Sequence, residues 1–211
     1  MNQSKFIEEV KLLGIDITEK QLNLLEKYYE LLIEWNNKIN LTRIVEKEEV
    51  YLKHFYDSLT IAKVINLNNV QTLLDFGTGA GFPGIVLKIF YPNLKITLVD
   101  SLNKRVIFLN EVIKELKLDN IEAIHIRVED LKDNHYDIIT TRAVSNLKQL
   151  ILWINKLITK NTLFIPLKAH VEEEIKEAQN LMNKNKIKIV KKETFNLPIE
   201  GSLRNILVIR K

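Results

Sequence analysis

From residue 71 the chain alternates short apolar runs with amphipathic stretches, and the first run leads directly into Gly77, Gly79, Gly81 and Gly84. A turn so dense in glycine, set between a strand and a helix, leaves few folds open. The runs Thr72–Phe76, Lys95–Asp100, Ile121–Ile126, Tyr136–Thr141, Thr162–Leu167, Ile187–Lys192 and Asn205–Arg210 read as strands. Helical patterns lie among them at about 83–90, 102–117, 145–158 and 170–183. Strands joined by helices of this length pack through right-handed crossovers into a mostly parallel sheet. The last two strands are joined by Asn196-Leu197-Pro198-Ile199-Glu200-Gly201, which reads as a turn, so that pair is expected to run antiparallel. The sequence therefore predicts an α/β protein with a seven-stranded, mostly parallel sheet.

The first seventy residues read as helical. Thr18 and Gln21 have the spacing of a capping box. Behind them Leu22, Leu25, Tyr29 and Leu32 form one apolar row, and Leu24, Tyr28, Leu31 and Trp35 a second. A further helical stretch runs from about Glu46 to Ile65 and contains His54 and Asp57, which share a face. With no repeat, low-complexity segment or flexible linker in the chain, residues 1–68 are expected to form a helical cap docked on a core of residues 69–211.

Closely spaced glycines after a first strand let the backbone approach a ligand without a Cβ in the way. The helix that follows offers unpaired N–H groups, so the loop reads as a nucleotide-type site. A dinucleotide fingerprint would need glycine at position 82, where Phe82 stands, and no phosphate-loop motif is present. The order G-x-G-x-G, preceded by Asp75, resembles instead the first motif of class I S-adenosylmethionine methyltransferases, which have a Rossmann-like fold. Asp100 ends the second strand, where a carboxylate can accept hydrogen bonds from ribose hydroxyls or cap the next helix.

The chain of 211 residues contains no cysteine, which excludes disulfides, thiolate–zinc sites and a cysteine nucleophile. No metal site is expected. The net charge of +4 leans toward an anionic partner such as RNA. No apolar run approaches the roughly 20 residues of a membrane span. Glu8 and Glu9 interrupt the place a signal peptide would occupy, so a cytoplasmic location is expected.

The acceptor atom is narrowed by what is missing. Attack on cytosine C5 usually needs a cysteine. Methylation of the adenine amino group usually carries an Asn/Asp-Pro-Pro-aromatic tetrapeptide, and that place reads Thr140-Thr141-Arg142-Ala143. A ring nitrogen such as guanine N7 has a free lone pair and needs only positioning. Arg142 suits that work, because N7 and O6 form a bidentate acceptor pair. It equally suits the cofactor carboxylate or an ordinary ion pair. Basic candidates for RNA contact are Lys104, Arg105, Lys168, Arg142 and Arg204.

The strings Leu74-Asp75-Phe76-Gly77-Thr78-Gly79-Ala80-Gly81-Phe82-Pro83-Gly84-Ile85, Asp100-Ser101-Leu102-Asn103-Lys104-Arg105, Arg127-Val128-Glu129 and Arg142-Ala143 together resemble the bacterial 16S rRNA guanine-N7 methyltransferases, the glucose-inhibited division protein B family. His54, Asp57, Ser58 and Leu59 in the cap and Arg204–Lys211 at the end also fit its pattern. The family often has proline where Ala80 stands, leucine where Phe82 stands, and glycine in place of Ala169. The resemblance implies S-adenosylmethionine contacts at Gly77, Phe82, Val128, Glu129 and Arg142; Gly79, Asp100 and Ser101 join them as cofactor candidates. It implies 7-methylguanosine in the decoding-region loop of 16S rRNA, either free or in the small ribosomal subunit. His54 is a further candidate for substrate contact, and a monomer is expected.

Overall fold

The computed structural model describes residues 1–132 and 135–211. Its N-terminal part holds helices α1 (Gln3–Leu12) and α2 (Glu19–Ile39), then a helical run made of α3 (Lys47–Val50), a π-helical turn (Tyr51–Tyr56), α4 (Asp57–Leu59) and a 3-10 turn (Thr60–Lys63). The remainder is β1 (Thr72–Phe76), α5 (Gly84–Phe90), β2 (Lys95–Asp100), α6 (Asn103–Glu115), β3 (Ile121–His125), β4 (Ile138–Arg142), α7 (Leu147–Ile154), β5 (Leu163–Lys168), α8 (Glu172–Lys184), β6 (Lys188–Asn196) and β7 (Leu203–Arg210).

The capping box forms as its spacing suggested. Thr18 Oγ1 accepts from the Gln21 N–H at 3.3 Å, and Gln21 Oε1 accepts from the Thr18 N–H at 2.8 Å. Along α2 the fully buried stripe is Leu25, Tyr28 and Leu32, which runs between the two apolar rows rather than along either. These residues share one hydrophobic cluster with Phe6, Phe55, Ile85, Leu98 and Phe108, so cap and sheet bury their apolar surface against each other. A second cluster, built on Phe76, Ile139, Leu150, Ile154 and Phe164, fills the other face of the sheet.

The seven strands run in the order β3-β2-β1-β4-β5-β7-β6. The pairs among β3, β2, β1, β4 and β5 are parallel, and β7 runs antiparallel to both β5 and β6. Strand order reverses at β1, so the loops after β1 and β4 diverge and open a crevice at the carboxyl edge of the sheet. Boundaries shift slightly from the apolar runs. β4 starts at Ile138 because Asp137 accepts the N–H groups of Gln71 and Thr72, both at 2.9 Å, and ties β4 to the entry of β1. β6 extends to Asn196 and carries a bulge between Ile189 and Lys191.

Candidate active site

β1 delivers the chain into a loop in which Gly77 and Gly79 both take φ of 63°. A Cβ on Gly77 would lie 2.5 Å from Val144 Cγ2, so bare backbone is required where the loop meets the β4–α7 connection. A Cβ on Gly79 would meet only the Gly77 carbonyl oxygen, at 4.0 Å, so there is room there for a ligand to approach the backbone. The loop is supported from the cap: the buried Tyr28 hydroxyl donates to the Ala80 carbonyl, and its ring packs 5.4 Å from that of Phe82.

The crevice holds a cavity of about 820 Å³ bounded by the glycine loop, the end of β2, the β4–α7 and β5–α8 loops, the start of β7 and the cap. A second, more apolar cavity of about 200 Å³ lies next to it, lined by Val99, Ile126, Val128, Glu129 and Trp153 among others. The two share Gly77, Asp100, Ser101 and Val144. Five walls of the larger cavity are cationic (Lys53, Arg105, Arg142, Lys168, Arg204) and three are acidic (Asp57, Asp100, Glu174), which favours an anionic ligand.

Asp100 is buried at the junction of the two cavities. Its Oδ2 accepts from Gly79 N at 2.9 Å and from Arg105 Nη1 at 3.2 Å, and its Oδ1 accepts from Leu102 N at 2.9 Å. The N-cap position of α6 is Leu102, so Asp100 braces the glycine loop rather than capping that helix.

Arg142 ends β4 and reaches into the cap. Its Nη1 donates to the Lys53 carbonyl at 2.6 Å and to Asp57 Oδ2 at 2.9 Å, while Nη2 lies 3.0 Å from His54 Nδ1. The guanidinium also sits 5.3 Å above the Phe82 ring, on which His54 stacks at 4.4 Å. Burial, aided by the Arg142 charge, lowers the His54 pKa to about 3, so the ring is neutral. Nδ1 also lies 3.1 Å from the Lys53 carbonyl, and Nε2 lies 3.0 Å from Thr42 Oγ1, so both ring nitrogens are engaged within the protein. Asp57 Oδ1 also accepts from Arg204 Nε at 3.0 Å. One carboxylate from the cap therefore joins the ends of β4 and β7.

Of the residues singled out in the sequence, Gly77, Gly79, Phe82, Asp100, Ser101, Arg105, Arg142, Lys168, Arg204 and His54 line the larger cavity. Val128 and Glu129 line the smaller one. Lys104 is exposed on α6 and lines neither. Sequence reasoning did not single out Val99, Ile126 and Trp153 around the small cavity, nor Thr42, Lys53 and Glu174 around the large one. Only Asp57 had left a signal, through its shared face with His54.

Asp75, beneath the loop, accepts at Oδ2 from Thr78 Oγ1 at 2.6 Å and from Gly84 N at 2.8 Å, while its Oδ1 has no partner among the described residues. Burial raises its pKa to about 7, although both hydrogen bonds and the Arg142 charge oppose the shift. Because the folded pKa lies above the unfolded value, the folded state binds the extra proton between about pH 4 and 7, and stability from this group is lost as pH rises through that window. His54 acts in the opposite sense, losing stability as pH falls from 6.5 toward 3. Comparison with Asp75→Asn isolates the first effect. The variant is expected to gain stability over the parent by about 4 kcal/mol at pH 8, with the gain vanishing below about pH 4. Urea unfolding at several pH values measures it, and a gain that does not change with pH would place Asp75 in the ordinary carboxylate range.

Residues 21–201 match the family model of rRNA small subunit methyltransferase G. The chain belongs to that family. Ribosomal RNA small subunit methyltransferase G of Bacillus subtilis (strain 168) is 45% identical over 218 aligned positions, covering 100% of this chain and 91% of that protein. The protein of the same name from Lachnoclostridium phytofermentans is also 45% identical, covering 100% of this chain and 89% of its own. The fold is that of class I methyltransferases. A SAM-dependent methyltransferase from Aquifex aeolicus superposes with a TM-score of 0.57 at 19% identity, covering 79% of this chain and 94% of that one. Mitomycin 7-O-methyltransferase superposes with a TM-score of 0.61 at 11% identity, covering 92% and 69%. Within the rRNA small subunit methyltransferase G family, then, this chain combines a class I core with an N-terminal helical part that enters the wall of the larger cavity through Thr42, Lys53, His54 and Asp57. No described helix is long and apolar enough to cross a membrane.

Proposed function

We propose that this chain transfers a methyl group from S-adenosylmethionine to N7 of a guanine in 16S rRNA, acting in the cytoplasm on the RNA alone or on the small ribosomal subunit. The observation that carries this reading is the union of two halves in one crevice: a cradle fit for an adenosyl group, and beside it a cationic wall. The cradle suits the donor's chemistry. The small apolar cavity between Val99, Ile126, Val128 and Trp153 fits a purine face, and Asp100 at its mouth suits ribose hydroxyls. The half-buried backbone at Gly79, with no Cβ, leaves room for close approach. Bound there, S-adenosylmethionine supplies an electrophilic methyl.

The chain's own residues supply position. Arg142, Lys168 and Arg204 present donors to an acceptor base and its phosphates. His54 is neutral and its ring nitrogens are taken up by Arg142, the Lys53 carbonyl and Thr42, so it steadies the arginine rather than removing a proton. An acceptor with a free lone pair and no proton to lose, such as guanine N7, matches that arrangement.

The decisive experiment maps 7-methylguanosine in 16S rRNA from cells lacking this protein. The mark should disappear and return on complementation; its persistence would overturn the proposal. Donor binding is tested separately. Asp100→Ala should weaken S-adenosylmethionine affinity by roughly 1.5–3 kcal/mol in calorimetry, through lost charge-assisted hydrogen bonds. Unchanged affinity with lowered stability would confine Asp100 to bracing the loop.

A further inference from the structure

The larger cavity extends from Asp100 at the end of β2 to Leu167 and Lys168 at the end of β5. If the donor lies over β1 and β2, the acceptor base lies toward β4 and β5. The cavity's three carboxylates are not equivalent there. Asp57 has both oxygens engaged, by Arg142 and Arg204. Asp100 has both engaged at the glycine-loop end. Glu174, in the first turn of α8, differs. Its Oε2 accepts from Leu147 N at 2.7 Å and pairs with Lys168 Nζ at 2.9 Å, which fixes the carboxylate from one side. Its Oε1 makes no hydrogen bond among the described residues, although the side chain is only 28% exposed.

The β5 end of the cavity thus holds an ammonium and an anchored carboxylate oxygen side by side. Guanine carries the complementary pattern on its Watson–Crick edge: the O6 acceptor is followed by two donors, N1–H and the 2-amino group. With N7 turned toward the methyl donor the ring orientation is set. Adenine would then put its 6-amino group against the ammonium and its N1 lone pair against the carboxylate. Both contacts reverse sign.

We propose, on the reading of this site as a guanine-N7 methyltransferase, that Glu174 is a specificity-determining residue that accepts from the N1–H and 2-amino edge of the target guanine, with Lys168 beside it at O6. A site built to bond such groups rejects a base that leaves its own polar atoms unpaired.

The test compares RNA carrying guanosine, inosine or adenosine at the target position, in wild type and Glu174→Gln. Inosine keeps N7, O6 and N1–H but lacks the 2-amino group. Wild type should bind and methylate the inosine RNA roughly 10-fold or more less well than the guanosine RNA. Glu174→Gln can keep an amide oxygen at Leu147 N while presenting an amino group to the base. It should lose roughly 10- to 100-fold on guanosine RNA and lose the preference for guanosine over inosine. Affinities are read by fluorescence anisotropy and rates by single turnover, with Tm and S-adenosylmethionine affinity as folding controls. If wild type does not distinguish guanosine from inosine, or the folded variant retains the wild-type preference, the proposal falls. If wild type leaves guanosine RNA unmethylated, the parent reading of the site falls instead.

Discussion

Arg142→Lys is expected to slow single-turnover methyl transfer by about 100-fold although the positive charge is kept. Arg142 donates through Nη1 to the Lys53 carbonyl and Asp57 Oδ2 and sets Nη2 at 3.0 Å from His54 Nδ1, and only a planar multi-donor fork meets them together. An ammonium on a shorter stem can reach Asp57 or His54 but not hold both in register. The stacked order of Arg142, Phe82 and His54 would then loosen, and with it the part of the glycine loop that Phe82 terminates. Displacement of about 1 Å in a site that works by alignment costs on the order of 100-fold. The measurement is methyl transfer at saturating donor and RNA, and a rate within about threefold of the parent would sink the idea. The same assay in the parent should be flat from about pH 7.5 to 9, because His54 is already neutral and Asp75 has ionised. His170 also lines the cavity. A steep rise with pH near neutrality that disappears in His170→Ala would identify a general base and make an amino or hydroxyl acceptor the better assignment.

What could be read from the sequence was what short-range chemistry decides. β1, its glycine loop and Asp100 were legible because their signals lie within about one βαβ unit. The capping box at Thr18 and Gln21 was legible for the same reason. The turn at 196–201 fixed the antiparallel ending because two strands with no helix between them can only fold back. The cap's part in the site was legible only as His54 and Asp57 sharing a helical face, not as the partners that Asp57 finds. Asp57 and Arg204 are 147 residues apart, and no spacing announces that a carboxylate in a helical run will meet the first turn of the last strand. The π-helical turn at Tyr51–Tyr56 was likewise hidden, since its apolar pattern is also that of an ordinary helix. The small cavity draws Val99, Ile126 and Trp153 from separate parts of the chain, and each taken singly is an ordinary core residue.

Asp57→Asn is expected to destabilise the fold by about 3 kcal/mol, a fall in Tm of roughly 10 °C for a chain of this size. The carboxylate is 5% exposed and faces two guanidinium groups whose side chains are 13% and 19% exposed, so solvent screens little of the interaction. Removing the anion leaves Arg142 and Arg204 as neighbouring cations with one partner lost from each. The asparagine amide adds a donor where both neighbours are donors already. Breaking a buried pair from one side typically costs more than the pair contributes, because the surviving charge keeps its desolvation penalty. Here two charges survive. The sign of that argument is tested by a second substitution. Arg204→Gln placed on Asp57→Asn should restore part of the lost stability, since it removes the surplus cation and leaves neutral groups that can pair. Urea denaturation of the single and double variants measures the coupling. A single variant within about 0.5 kcal/mol of the parent would show the carboxylate to be solvated. Purely additive losses would show that Asp57 and Arg204 are not coupled, and the cap would then be tied to the sheet without that pair.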